Sequence, residues 1–392
     1  MSPPHNVDEL NPMKALAPAA VFIATLTLSV SVSLTRSAQA AEVIHSEDAN
    51  FQIETIATGL KSPWALVKLP DGRMLVTERD GRLRVISADG KLQEEPVANV
   101  PAVVAKGQGG LLDLELHPEY AENGWIYISY SKPGENGAMT SIIRARLKGN
   151  ALEDIETIFD PPAADYTTGG NHFGNRMEFD GKGYLFFSIG ERGDQSNAQL
   201  LTNAKGKIHR IRDDGKIPED NPFVNTPGAI PSIWCYGNRN PQGLRFQPGT
   251  GVLWESEHGP RGGDELNIIR KGANYGWPVI TYGINYNGTK ITDFTEKEGM
   301  EQPVIQWTPS IAACGMDFYT GNEFPKWKGN LFVGALAHQK LVRCVIDGEK
   351  VTKQEILLER IGRIRDVRSF GDGGIYVVVA EPGSVFKIVP AK

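Results

Sequence analysis

One turn-and-strand unit recurs six times along the chain, as "PDGRMLVTERDGRLRVI", "ENGWIYISYS", "FDGKGYLFFSIGERG", "GTGVLWESEHG", "WKGNLFVGAL" and "GDGGIYVVVAEPGSVFKIV". Each is a glycine turn that runs into a β-branched or aromatic stretch. The glycines Gly72, Gly124, Gly183, Gly251, Gly329 and Gly374 stand roughly 45 to 80 residues apart, wider than one hairpin and about the length of a four-stranded propeller blade with its loops. Six units therefore predict an all-β fold, a six-bladed β-propeller with four-stranded antiparallel blades. In "RLRVIS" and "YLFFSIG" the apolar positions are dense, as expected where each sheet is sandwiched between two neighbours. A β-sandwich or a two-domain β protein is the competing architecture, but recurrence along the whole chain favours radial repetition and a single domain. A ring must also close to protect its edge strands, so "FQIETIA" is expected to pair beside "SVFKIVP".

A chain of 392 residues with 40% hydrophobic content can bury a large core, as an ordinary globular protein does. Its net charge of −6 is spread without a basic block, which excludes a nucleic-acid footprint and a polybasic membrane patch. At the N-terminus Lys14 precedes an apolar stretch from Ala15 to Leu34, and Ala38-Gln39-Ala40 supplies small residues for cleavage. Residues 1–40 are thus expected to be a signal peptide, with a mature domain of residues 41–392 in the periplasm or secreted. A membrane-spanning helix is the alternative, since the stretch is nearly long enough; the mature chain itself is expected to carry no span. Cys235, Cys314 and Cys344 are widely spaced with no Cys-x-x-Cys pair, so at most one disulfide can form, and the expectation is buried thiols acting as small apolar groups.

In a propeller, chemistry sits where loops from different blades converge over the central channel. The connections at 106–112, 167–176, 191–199, 236–243, 257–282 and 363–367 are rich in polar residues framed by glycine or proline. Among them are "GQGGLLDLELHP", "GNHFGNR", "GERGD", "YGNRNPQGLRF", "SEHGPRGGDELNIIRKGANYGW" and "GRIRDV". His172 lies between glycines that let the backbone turn sharply, and an imidazole titrating near neutrality suits removal of an alcohol proton; a structural histidine is the plainer alternative. Arg239 has a guanidinium suited to carboxylates and other acceptor oxygens, with a surface ion pair as the plainer alternative. Arg363 and Arg365, at i and i+2, point to one side of a strand and can grip carboxylates. The residues alone lead to a polar-lined propeller centre.

Taken together, these segments resemble the soluble glucose and aldose sugar dehydrogenases that use pyrroloquinoline quinone (PQQ), over about residues 59–389. "GNRNPQG" with "HGPRGGDELN" and "NYGWP" is far more specific than any lone motif. The resemblance implies His172 as general base for the C1 hydroxyl while the C1 hydride goes to the quinone, with Glu191 on its other nitrogen raising its basicity. It implies Arg239 stabilising charge on the quinone oxygen, Asn240 bonding the same edge, Gln108 at the cofactor rim and Arg363 with Arg365 on the cofactor carboxylates. PQQ in that family works with calcium, whose hard coordination accepts backbone carbonyls. By resemblance Gly259 and Pro260 offer carbonyls to the cofactor's Ca2+, and Glu265 by its carboxylate and Tyr275 by its carbonyl match a second calcium site. Departures are Ala337 where glucose-oxidising members carry a cofactor-contacting lysine, with His338, Gln339 or Lys340 as possible substitutes, Asn238 in place of histidine and Cys314 in place of serine.

The expected activity is oxidation of an aldose sugar at C1 to the lactone, with electrons passed to an external electron acceptor. The substrate mouth lacks long enclosing insertions, so several aldoses are expected to enter. A calcium-dependent propeller lactonase or esterase is one alternative, and it would need carboxylate or amide side chains converging on a central metal. A non-catalytic ligand-binding propeller is the other; retention of both His172 and Arg239 speaks against it.

Overall fold

The computed structural model describes residues 42–391; the expected signal peptide lies outside the described residues. Six antiparallel sheets follow one another along the chain, and each glycine-turn unit supplies the second strand of one of them. The innermost strands are Pro63–Lys68, Leu111–Leu116, Met177–Phe179, Pro241–Phe246, Ala313–Phe318 and Ile364–Arg368, and each packs beside the next, the last returning to the first. The result is a six-bladed β-propeller. Gly72, Gly124, Gly183, Gly251 and Gly329 all have positive φ, which the tight turn into the second strand requires. In the sixth unit that conformation falls on Gly373, at φ 89°, one residue before the expected Gly374.

The alternation of each second strand explains why it is apolar on both sides. In Tyr184–Ile189, Leu185, Phe187 and Ile189 enter the layer against the second blade, while Phe186 enters the layer against the fourth. In Ile375–Val379, Ile375, Val377 and Val379 face the fifth blade, and Tyr376 and Val378 face the first. Period-two geometry sends neighbours to opposite faces, and here both faces are covered. The core is therefore six apolar layers, one between each pair of blades.

Closure occurs as expected. Asn50–Thr58 pairs antiparallel with Ser384–Pro390, from Phe51 opposite Pro390 to Thr58 opposite Ser384. Phe51 is fully buried and meets Trp327 edge-on at 5.6 Å between ring centroids, so the N-terminal strand is anchored in the core as well as in the ladder. The short strand Ile44–His45 adds a fifth to this blade. The first blade departs from the expected four strands, because its sheet has three. Residues 92–97 run beside the third strand, but only the Gln93 N–H to the Val85 carbonyl and the Val97 N–H to the Leu83 carbonyl are made. Pro96 has no N–H to continue a ladder there.

The axis is closed by ions. Arg176 donates to Asp113 and Asp366, each at 2.9 Å. Arg368 bonds Asp366 at 2.8 Å and Asp113 at 3.1 Å, and Arg245 bonds Glu115 at 2.7 Å and also Glu178. Buried charges persist only when paired and hydrogen-bonded, and with Asp317, 3.6 Å from Arg245 Nε, each innermost strand but the first contributes one or more of them. All three cysteines are buried and free, in keeping with their expected apolar role. Among the described residues no helix is long and apolar enough to cross a membrane.

Candidate active site

The loops joining blades, and those joining second to third strands, meet at one end of the ring. His172 sits in the segment before Met177–Phe179 with φ 49°, a left-handed conformation uncommon for a residue with a side chain. Its surroundings hold it there. The Gln108 N–H donates to the Gly170 carbonyl at 2.7 Å, and the His172 N–H donates to Gln108 Oε1 at 2.9 Å. Arg192 donates from Nη2 to the Gly169 carbonyl at 2.8 Å and from Nη1 to the Asn171 carbonyl. The Gly174 N–H reaches Asn240 Oδ1 at 3.2 Å. Close packing demands glycine at Gly190, where a Cβ would lie 2.3 Å from the His172 carbonyl oxygen.

The imidazole and its partner form the expected pair. His172 Nδ1 is 2.8 Å from Glu191 Oε1, and because a carboxylate only accepts, Nδ1 carries the proton and Nε2 keeps a lone pair. Burial lowers the pKa of His172 below the ordinary 6.5; Glu191 works against this and the nearby charge of Arg239 reinforces it. The ring is therefore neutral at pH 7 and able to accept a proton. Arg192 is 4% exposed, stacks 3.3 Å above the Phe173 ring centroid, and forms no ion pair among the described residues.

Beside this pair lies a cavity of about 200 Å³ lined by Gln108, Gln242, His258, Arg363 and Arg365, with Trp64, Phe173 and Leu336 as apolar walls. A second hollow of about 240 Å³ shares Trp64, Gln108, Arg363 and Arg365 and adds Arg79. Arg365 is pushed down to about 10, first by burial and then by other guanidiniums. A space faced by three arginines and amides suits a flat, acceptor-rich anion.

The expected residues converge, though with two differences. Asn240 is fully buried, and its Oδ1 accepts from the Gly174 N–H at 3.2 Å and from Gln242 Nε2 at 3.1 Å. Its Nδ2 makes only long bonds to Gln108 Oε1 and His258 Nδ1, at 3.4 and 3.5 Å, so it stands behind the cavity wall. Arg239 donates from Nη1 to the carbonyls of His258 and Gly259, at 2.9 and 2.8 Å, while its buried Nε has no partner. Ala337, His338, Gln339 and Lys340 line a separate hollow of about 450 Å³ that meets the site through Arg363 and Leu336.

The expected metal residues lie together under Arg239. The Gly259 carbonyl faces Arg239, and the Pro260 carbonyl accepts from Ser310 Oγ at 3.2 Å. The Tyr275 hydroxyl is committed to the Ile268 carbonyl at 2.6 Å and the Arg270 N–H at 2.8 Å, which leaves only its carbonyl for a ligand. Glu265 joins Glu255 and Glu257 around one amide, Asn267 Nδ2, at 3.3, 3.0 and 3.5 Å. Burial raises Glu257 to about 7 against hydrogen bonds from the Arg239 and Asn240 N–H groups, and burial with repulsion from Glu257 raises Glu265 to about 8. Glu255 Oε1 and Asn267 Oδ1 are buried without partners. A void of about 10 Å³ touches Glu257, Glu265, Tyr275 and Gly259, on the order of one small ion or water. Among the described residues no three metal-binding side chains stand in ligating array.

No role for Arg176, Arg192, Gln242, Glu257 or His258 is read from the sequence, although Arg192 adjoins Glu191, His258 adjoins Gly259, and Gln242 and Glu257 stand two positions from Asn240 and Gly259. Trp64 carried no sequence signal. The axial carboxylates do converge, but on guanidiniums, so among the described residues the axis holds no unpaired carboxylate set of the kind expected for the lactonase alternative.

The Glucose / Sorbosone dehydrogenase family model matches residues 60–387. The chain is 46% identical over 350 residues to the aldose sugar dehydrogenase YliI of Escherichia coli (strain K12), covering 87% of this chain and 94% of that one. It is 34% identical over 344 residues to quinoprotein glucose dehydrogenase B of Acinetobacter calcoaceticus, covering 81% and 70%. The PQQ-bound aldose sugar dehydrogenase of Streptomyces coelicolor superposes with a TM-score of 0.72 at 28% identity, over 87% of this chain and 98% of that one.

Proposed function

Because the chain belongs to the glucose/sorbosone dehydrogenase family, we propose that it is a quinoprotein that oxidises aldose sugars at C1 to the lactone with PQQ and calcium. The observation that carries this reading is the cavity whose polar walls are donors from Arg363, Arg365, Gln242 and His258, set beside the His172–Glu191 pair. Arg363 and Arg365 each commit only Nη1 to the protein, to the Leu336 carbonyl and to Gln242 Oε1, and His258 Nε2 has no partner, so their remaining N–H groups fit the carboxylates and carbonyls of PQQ. Gln108, Arg363 and Arg365 would hold it, with Asn240 steadying Gln108 from behind. The carboxyl groups of Glu255, Glu257 and Glu265, which form no ion pair among the described residues, and the partnerless Asn267 Oδ1 fit a cation, and Gly259, Pro260 and Tyr275 offer the carbonyls that Ca2+ accepts. When bound, PQQ supplies the two-electron acceptor for the C1 hydride, and calcium supplies a Lewis acid.

The chain's own residues handle the proton and the charge. His172 takes the C1 hydroxyl proton at Nε2, and Glu191, already on Nδ1, stabilises the imidazolium that forms. Arg239 brings a fixed positive charge close to where negative charge develops. The product is the lactone, and the electrons leave to an external acceptor. The mouth near Gln108 is open, so several aldoses enter. Residues 1–40 act as an export signal that delivers the enzyme to the periplasm or outside the cell.

The test is reconstitution. Purified protein stripped with a chelator is given PQQ, calcium or both, and dye reduction is followed with a panel of aldoses; activity is expected only with both additions and with more than one sugar. Lactone hydrolysis without PQQ would replace this reading by the hydrolase one.

Arg192 is expected to act through His172. With Arg192→Met the backbone carbonyls of Gly169 and Asn171 lose their clamp, and a displaced base costs up to about 10²-fold in kcat while KM for the sugar changes little. A raised KM at unchanged kcat would mean that Arg192 binds substrate instead.

A further inference from the structure

A second imidazole faces the candidate cofactor cavity and has no assigned work. His258 lines that cavity, and its Nε2 is buried without a hydrogen-bond partner. The tautomer follows from Asn240. Because Asn240 Oδ1 accepts from the Gly174 N–H and from Gln242 Nε2, its amide group must turn Nδ2 towards His258, 3.5 Å from Nδ1. An amide N–H only donates, so Nδ1 accepts and Nε2 carries the hydrogen. His172 has the reverse arrangement, with Nδ1–H on Glu191 and the lone pair at Nε2. The site thus holds two neutral imidazoles in opposite tautomers, one built to accept and one to donate.

We infer that His258 is a ligand-contacting residue whose Nε2–H donates a hydrogen bond to an acceptor atom on the rim of PQQ, and that Asn240 is the positioning residue that fixes this tautomer. The inference rests on the reading of the cavity as the PQQ site. A buried donor left without a partner is unfavourable until something accepts from it. Nearby, Arg365 Nη1 donates to Gln242 Oε1 at 2.8 Å and Gln108 Oε1 accepts from the His172 N–H, so both side chains are already held by the protein at one atom. His258 Nε2 has no such engagement, so its hydrogen bond is the one a ligand must complete.

The test uses the full chain with calcium present. PQQ is titrated into wild type, His258→Gln and His258→Leu by tryptophan fluorescence, and the imidazole Nε2–H of His258 is followed in 15N-labelled wild type by NMR. Glutamine keeps a donor at similar reach and should bind PQQ within about fivefold of wild type, whereas leucine should bind about 10- to 100-fold more weakly, the range of one hydrogen bond to a charged acceptor. The wild-type Nε2–H resonance should shift on PQQ addition and survive solvent exchange. Equal affinity in wild type and His258→Leu overturns the inference alone. If the leucine variant fails to fold, an unmoved Nε2–H resonance in PQQ-loaded wild type overturns it. Absence of PQQ binding by wild type overturns the cavity assignment, and the inference with it.

Discussion

Replacing His172 by asparagine should lower sugar-dependent dye reduction by the PQQ- and calcium-loaded protein by about 10²- to 10⁴-fold, the range of a lost general base, with the fold intact. Asparagine is the informative choice because His172 has φ 49° and asparagine tolerates that conformation better than alanine. The segment is also held by backbone bonds that do not involve the ring, from Gln108, Arg192 and Asn240, so far-ultraviolet dichroism and melting should change little. The pH profile gives an independent reading. Burial sets the pKa of His172 below 6.5, so the basic form is present at neutrality and kcat/KM should fall only as pH drops through that lowered value. Glu191 pulls the same pKa upward, so Glu191→Gln should move the limb to still lower pH and reduce the plateau by about tenfold as the base weakens. A His172→Asn variant within threefold of wild type would remove the base assignment.

The largest stability effect should come from Arg176→Met, at about 3–5 kcal/mol, the cost of removing one partner from a buried ion pair. Arg176 is 2% exposed and reaches five of the six blades. It belongs to the third, bonds Asp113 of the second, the Gln242 carbonyl of the fourth, the Arg365 carbonyl and Asp366 of the sixth, and lies 4.1 Å over the ring of Trp64 in the first. Without it, two buried carboxylates lose their shared cation. Burial already raises both, Asp366 to about 7. A carboxyl raised in the folded state adds stability below its unfolded pKa and loses it as pH climbs through the folded value. The variant should therefore be weakest above pH 7 and regain part of its deficit as the pH is lowered towards 5, where protonation neutralises Asp366. Urea unfolding at pH 5 and pH 8 measures this. A deficit under 1 kcal/mol at pH 8 would mean that Arg245 and Arg368 suffice to hold the axis.

The two predictions concern residues four positions apart in "GNHFGNR" that the sequence treats alike, as polar groups near glycine. The role proposed for His172 is legible from its flanking glycines and from the wider motif set. Arg176 has no such signal, because its partners lie at positions 64, 113, 242, 365 and 366, and nothing local says that these strands share an axis. The same holds for Asn240, which lies behind the wall of the candidate cavity, and for Arg239, whose guanidinium rests on the carbonyls of His258 and Gly259. The fourth strand of the first blade was expected from the regularity of the repeat; Pro96 was the local reason to doubt it.

Taken alone, the chain determined its blades, its closure and the loops that carry chemistry, because positive φ at glycine and period-two alternation are set within a few residues of backbone. Tertiary structure alone decided which side chains pair, which amide orients which ring, and which donors stay unpaired facing the cavity. Those outcomes depend on how six sheets meet around one axis, where partners dozens to hundreds of residues apart compete for the same hydrogen bonds and only burial makes the outcome unique.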